Sequence, residues 1–202
     1  MTITNGYATL AETKAAMRIA DTVDDSAIEV AISAASRMID NYCGRKFWAD
    51  TAATARKFDC GPDGVASIND CLEAPTLVKT DDGTRAFATT VASTDYELEP
   101  VNAVNGGRAW PYVAVVLMGD LLPVRFRGRT PVQVTAKWGW PGGVPDEVRQ
   151  ACIVQAIALF KAVDAPLGIA GFGDMGGMRL KQSVHPTAAA LLTMFRRTVG
   201  IA

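Results

Sequence analysis

The chain holds few residues able to do chemistry, and their spacing limits which chemistry is open. There is one histidine, His185, directly before Pro186. It could act as a general base or a metal ligand. Its nearest upstream carboxylate is Asp174, and no paired cysteine stands near it. A nucleophile and an orienting group would have to come from elsewhere in the fold. No G-x-S-x-G elbow supplies one. His185 therefore reads as a surface linker residue, with a small hydrolase as the alternative. The cysteines, Cys43, Cys60, Cys71 and Cys152, are widely spaced and form no C-x-x-C pair. Reduced thiols in a cytosolic protein are the expectation. Cys60 and Cys71 could bridge a hairpin, though nothing in the sequence demands it.

Gly171-Phe172-Gly173-Asp174-Met175-Gly176 carries the letters of G-x-G-x-x-G. A dinucleotide site needs a strand before that motif and a helix after it. Here it follows a helical stretch and Pro166, so it reads as a chance match. No P-loop lysine is present. Asp24-Asp25 and Asp81-Asp82 read as a helix start and a turn rather than a metal site. Arg125, Arg127 and Arg129 alternate along an expected strand and share one face. They could meet phosphates. No aromatic side chain alternates with them on that face to stack bases. A solvated face or a row of salt bridges between subunits is the favoured reading. Trp138-Gly139-Trp140-Pro141 and Trp110-Pro111-Tyr112 read as corners sealing the junction of two parts of the fold. By exclusion the chain is a structural or interaction protein, with no catalytic residues, cofactor or metal expected.

The elements that must position these residues fall into three blocks. The ends read helical. Thr9 with Glu12 forms a capping box before a short helix, roughly Leu10 to Ile19. Asp24 caps a stronger helix near Asp25 to Cys43, with Ile28, Ile32, Ala35, Ile39 and Tyr42 in one stripe and Gly44 as C-terminal cap. Between about Arg45 and Gly139 come short β-prone runs: Arg56–Cys60, Thr76–Lys79, Tyr96–Glu99, Val113–Met118, Val124–Arg127 and Val132–Trp138. Asp82-Gly83 is a hairpin signal. Strands without intervening helices predict a small antiparallel barrel or sandwich. Pro145 then opens a helix running to about Val163, nearly apolar on all sides, so either a central helix or one packed on a neighbour. Pro186 opens the last helix, with Leu191, Leu192, Phe195 and Val199 on one side. The fold class is α+β: a helical bundle core with an inserted small antiparallel β domain. The core takes residues 1–50 and 141–202, with an arm at about 164–185, and the insertion takes 51–140.

Composition sets the outer bounds. The 202 residues are 49% hydrophobic and 20% charged, enough for a packed core. No stretch approaches the ~20 apolar residues of a membrane span. The N-terminus lacks a secretory pattern. The net charge of −1 hides an asymmetry: residues 1–101 carry 9 basic and 16 acidic side chains, residues 102–202 carry 11 and 5. Opposed halves suit head-to-tail contacts or an axially polar assembly. The two halves could equally intermingle in the fold. A DNA-binding accessory using the basic half is a second alternative. The arm combines backbone-loosening glycines with Ile169, Phe172, Met175 and Met178, followed by Arg179 and Lys181. These six are the expected interface with a partner or a neighbouring subunit, since methionine fills irregular gaps; the alternative is that the segment folds back onto its own subunit's helices.

Three stretches resemble the head-to-tail connector (adaptor, or head completion) proteins of long-tailed bacteriophages. The first runs from Tyr7-Ala8-Thr9-Leu10 and Lys14 through Asp24-Asp25 to Ala34-Ala35-Ser36-Arg37-Met38-Ile39-Asp40-Asn41-Tyr42-Cys43-Gly44-Arg45-Lys46-Phe47. The second is Asp95-Tyr96-Glu97-Leu98-Glu99-Pro100 with Trp110-Pro111-Tyr112. The third runs from Val132 through Pro141, with Val144-Pro145, Pro166-Leu167-Gly168 and Met175-Gly176. Order and spacing carry the resemblance, since these are packing and turn residues. It implies a dodecameric ring in the virion neck, beneath the portal protein. It implies a tail completion (stopper) or tail terminator protein below, and genomic DNA passing non-specifically through the lumen. It implies assembly in the bacterial host cytoplasm, no membrane and no catalysis.

Overall fold

The computed structural model describes residues 3–103, 107–118, 131–162 and 184–197, together with the backbone of 104–105, 169–170 and 178–179. The chain divides into two compact units, residues 1–45 with 144–202, and residues 46–143.

The first unit is helical. Helix α1 spans Leu10–Met17. Thr9 Oγ1 accepts the Glu12 N–H at 3.2 Å, and the Glu12 carboxylate accepts the Thr9 N–H at 2.8 Å. The Thr9 N–H and the Thr9 hydroxyl, both donating to it, hold the Glu12 carboxyl below its usual range. The helix stops two residues short of Ile19, because Arg18 turns left-handed at φ 61°. Helix α2 spans Asp25–Cys43, and Gly44 ends it at φ +65°. Ile28, Ile32, Ala35 and Ile39 are buried in one stripe, but Cys43 rather than Tyr42 completes it. Asp24 occupies the cap position without a side-chain capping bond. Its neighbour Asp25 pairs with Lys14 instead.

Helix α3 spans Asp146–Ala162, directly after Pro145. Its apolar surface is met by α1, α2 and a fourth helix, α4, Pro186–Leu192. Small side chains let α2 and α3 approach: Ser36 Oγ lies 3.4 Å from Cys152 Sγ and also accepts the Tyr7 N–H at 3.1 Å. The last helix is shorter than its apolar spacing suggests. It passes into a 3₁₀ turn at Thr193–Phe195, where Thr193 Oγ1 donates back to the Ala189 carbonyl at 3.0 Å. Leu192 and Phe195 are buried and Leu191 is half-buried, while Val199 lies outside the described residues. The Arg197 N–H donates to the Cys43 carbonyl at 2.8 Å, satisfying a carbonyl at the end of α2.

The second unit is antiparallel β. Its strands are β1 (Thr54–Asp59), β2 (Val65–Cys71), β3 (Leu77–Thr80), β4 (Thr89–Val91), β5 (Tyr96–Glu99), β6 (Val104–Asn105), β7 (Arg108–Ala109), β8 (Tyr112–Leu117) and β9 (Pro131–Ala136). One sheet has the order β1-β9-β3-β4 and another β2-β8-β5, with β6 and β7 as a separate pair. In β9, Val132, Val134 and Ala136 are buried while Gln133 and Thr135 alternate outward, so one face meets the core. Ile68, Val78, Val115 and Trp138 join them in that core.

Four strands of this unit, β2, β4, β6 and β7, fall outside the runs expected from the sequence. Strand β2 reads Val-Ala-Ser-Ile-Asn-Asp-Cys, which lacks the run of β-formers that marks a strand. It forms because Ala66, Ile68 and Cys71 reach the core and β8 pairs alongside. β4 is only three residues long, too short to show an alternation. The connection after Asp82-Gly83 is also longer than a two-residue hairpin. It runs over 81–88, with Gly83, Arg85 and Phe87 all at positive φ. The expected strand Val124–Arg127, with Arg125, Arg127 and Arg129, lies outside the described residues. The mixed α+β class stands: helices and antiparallel sheets occupy separate stretches of chain.

Candidate functional site

His185 is a helix cap. Its Nδ1 accepts the Thr187 N–H at 3.2 Å, and its own backbone N–H donates to Gln155 Oε1 at 2.7 Å. Pro186 behind it starts α4. The ring nitrogen nearest the chain is thus committed to the backbone, so this exposed residue caps the helix that follows it. Gln155 is buried in α3, so this bond fastens α3 to the start of α4. Gln155→Leu should lower stability by about 1–3 kcal/mol, because the His185 N–H loses its acceptor. Urea unfolding followed by circular dichroism at 222 nm measures it, and an unchanged midpoint would contradict the bond's role.

The thiols are equally unsuited to catalysis. All four cysteines are free and buried, so the Cys60–Cys71 bridge does not form. Burial pushes Cys43 up to about 12 and Cys71 up to about 11. Burial also raises Cys60 and Cys152. At pH 8 a thiol of pKa about 12 is ionised in roughly one molecule in ten thousand, and the thiolate is the reactive form. The native protein should therefore resist thiol reagents and release four reactive groups only on denaturation. Fast labelling of Cys43 in the native state would refute this. Among the described residues, no group of three His, Cys, Asp or Glu side chains could hold a metal ion.

The tryptophans fasten the β unit internally. Trp138 is fully buried, donates from Nε1 to the Thr54 carbonyl at 2.9 Å and lies 5.5 Å from the Phe58 ring. The Arg56 guanidinium sits 4.7 Å from its ring centroid. The Trp140 ring centroid lies 5.2 Å from that of Phe47, tilted by 46°, and 5.2 Å from that of Trp110, edge to face at 67°. Gly139 between them has φ +132°.

The surfaces carry what remains. Of the six expected interface residues, Phe172, Met175 and Lys181 lie outside the described residues. Ile169, Met178 and Arg179 are described by backbone alone. There, β10 (Ile169–Ala170) pairs antiparallel with β11 (Met178–Arg179), Ile169 opposite Arg179 and Ala170 opposite Met178. The opposed charges of the two sequence halves do not survive into the units. The helical unit holds ten basic and ten acidic side chains, and the β unit ten and eleven. Each unit draws on both halves of the chain, so the charges intermingle.

A surface the residue pattern did not single out is the outer edge of β5. Tyr96 and Leu98 pack on the core, while Glu97 and Glu99 are exposed. The alternation was visible, but not that β5 would end its sheet.

Residues 7–74, covering α1, α2, β1 and β2, match the family described as Phage gp6-like head-tail connector protein. No curated protein sequence matches the chain. Solved structures are similar over 99% of this chain and 95% of theirs. One is a chain in the neck of an empty GTA particle computed with C6 symmetry, with a TM-score of 0.58 at 17% identity. Another is in the virion of a native gene transfer agent particle, at 0.53 and 17%. A third is in the neck of a native GTA particle computed with C12 symmetry, at 0.51 and 16%. These likenesses are of fold.

Proposed function

We infer that the chain is a head-to-tail connector of the Phage gp6-like family, a structural protein of the virion. The match of residues 7–74 to that family carries the reading. Two further observations support it. The whole chain shares its fold with chains in the neck of GTA particles. The histidine and the thiols, where catalysis would be sought, are a helix cap and buried protonated groups.

The finer reading is a ring beneath the portal, twelve copies in number, with a tail completion or terminator protein below and DNA passing through the lumen. C12 symmetry in the neck of a similar particle supports the number. The helical unit serves as connector core and the β unit as an insertion within it. The arm at 164–185 takes the contact with portal or neighbour through Ile169, Phe172, Met175, Met178, Arg179 and Lys181. Assembly takes place in the host cytoplasm. The role is not enzymatic.

Particles assembled without this chain should accumulate as filled heads beside free tails, and adding the purified chain should join them. Joined particles at the normal frequency in its absence, counted by negative-stain microscopy, would end this reading. Alone, the chain should sediment as a monomer or weak oligomer and close into a ring only on the portal. A stable dimer indifferent to portal would contradict the ring.

A further inference from the structure

We propose that the outward face of the sheet β1-β9-β3-β4 holds the phosphate backbone of duplex DNA, through a row of Lys57, Gln133, Lys79 and Thr90. The strand registers fix the row. Lys57 on β1 and Lys79 on β3 both stand directly opposite Gln133 on β9, and Thr90 on β4 stands opposite Lys79. Directly paired residues share one face of a sheet. Val78, Val91, Val132 and Val134 fill the core on the other face, so the row points outward. Lys57 and Thr90 are exposed, and Lys79 and Gln133 are half-buried. Neighbouring strands lie about 4.8 Å apart, which sets the two lysines about 10 Å from each other across Gln133.

The two cations have no countercharge. Among the described residues the side chains of Lys57 and Lys79 form no ion pair. The Lys57 ammonium lies 4.5 Å from the centroid of the buried Phe87 ring, which steadies it. Arg85, on the same loop as Phe87, is exposed and also without an ion pair among the described residues, a third cation beside the row. Of the acids near in sequence, Asp59 lies two residues along β1 from Lys57, outside the row. The Asp82 carboxylate accepts the Thr84 N–H and hydroxyl. Lysine stems are long and flexible enough for both ammonium groups to converge on one phosphate. The Gln133 amide and the Thr90 hydroxyl add uncharged donors. Cations and neutral donors without an exposed ring to stack on suit a phosphate backbone rather than bases. Both lysines belong to the acidic half of the chain, so charge counted along the sequence points away from this face. The proposal rests on the connector reading for the presence of DNA, and on the sheet alone for the contact.

Fluorescence anisotropy tests it, with the full-length chain and a labelled duplex of about 30 base pairs. Three phosphate contacts give a slope of log affinity on log salt near −2.7, so raising salt from about 50 to about 200 mM should lower affinity about fortyfold. Lys57→Gln with Lys79→Gln leaves one contact, and the same rise in salt should then cost about three- to fourfold. Lys57→Arg with Lys79→Arg should keep the affinity and slope of the unaltered chain. Arg18→Gln with Lys161→Gln, at exposed cations outside the β unit, should change neither. Duplexes of unrelated sequence should bind alike. Equal affinity and slope for the Gln pair and the unaltered chain would overturn the proposal. So would a slope shallower than about −1 in the unaltered chain, a result that needs no variant to fold. Polyglutamate bound as tightly as the duplex, with the same dependence on the two lysines, would assign the row to an acidic protein surface instead. None of these results bears on whether the chain joins heads to tails, which the particle assay decides separately.

Discussion

Gly139→Ala should destabilise the β unit by more than about 4 kcal/mol, at the far end of single-substitution effects. The residue sits at φ +132°, a conformation that side chains rarely adopt. A Cβ there would lie 2.1 Å from the Trp48 carbonyl oxygen and 2.7 Å from Ala49 Cα. Both are backbone atoms, so no rotamer change relieves the clash. Nor can the chain slide. The Gly139 N–H is held by the Asp70 carbonyl at 2.8 Å, and the Trp138 carbonyl accepts the Asp50 N–H at 2.7 Å. Gly142 supplies the comparison: it is also left-handed, at φ +73°, but a Cβ there meets nothing within 4 Å. Gly142→Ala should cost only the backbone term, about 1–2 kcal/mol. All four tryptophans lie in the β unit, so urea unfolding read by fluorescence reports on it. A Gly139→Ala midpoint no lower than that of Gly142→Ala would show that this corner can yield.

Gly139 also shows what kind of information the sequence holds. Trp-Gly-Trp-Pro announces a corner, but the reason for glycine is the Trp48 carbonyl, ninety residues away in the chain. Local signals were legible wherever the stabilising partner is itself local. The Thr9–Glu12 capping box, the Ile28–Ile39 stripe, the Gly44 cap and the Pro145 start all act within a few residues. Strand β9 was legible because its inward valines alternate with polar residues. Strand β2 was not, since Ala66 and Cys71 become core only once β8 and Trp138 lie beside them. The same division holds for the surfaces. The alternating arginines read from the sequence as a solvated face or a row of salt bridges between subunits. That the exposed Glu97 and Glu99 sit on an edge strand depends on sheet order, which no local pattern encodes. His185 was placed correctly before a helix, but its capping bond and its tie to Gln155 required α3 to be in place.

Removing Phe172 and Met175 together should abolish stable attachment of the chain to portal or neighbour while leaving its own melting almost unchanged. The stretch from Gly168 to Lys181 sets bulky apolar side chains among glycines. Glycine loses more conformational freedom on ordering than any other residue, so such a backbone is costly to fix on its own. In the proposed contact a partner groove would supply the compensating apolar burial, worth about 1.5–3 kcal/mol for each large side chain. The anchors on either side do not depend on these two residues. Helix α3 ends at Ala162, the His185 N–H is fastened to Gln155, and the backbone pairs Ile169 with Arg179 and Ala170 with Met178. Phe172→Ala with Met175→Ala should therefore shift the melting temperature by less than about 2 °C, under 1 kcal/mol for a domain of this size. Co-sedimentation with portal should fall to background, since losing two such anchors weakens binding by a factor of 100 or more, on the order of 3–6 kcal/mol. If melting drops sharply while the folded fraction still co-sediments, Phe172 and Met175 belong to the subunit's own core. The contact with portal would then have to lie on another surface of the helical unit.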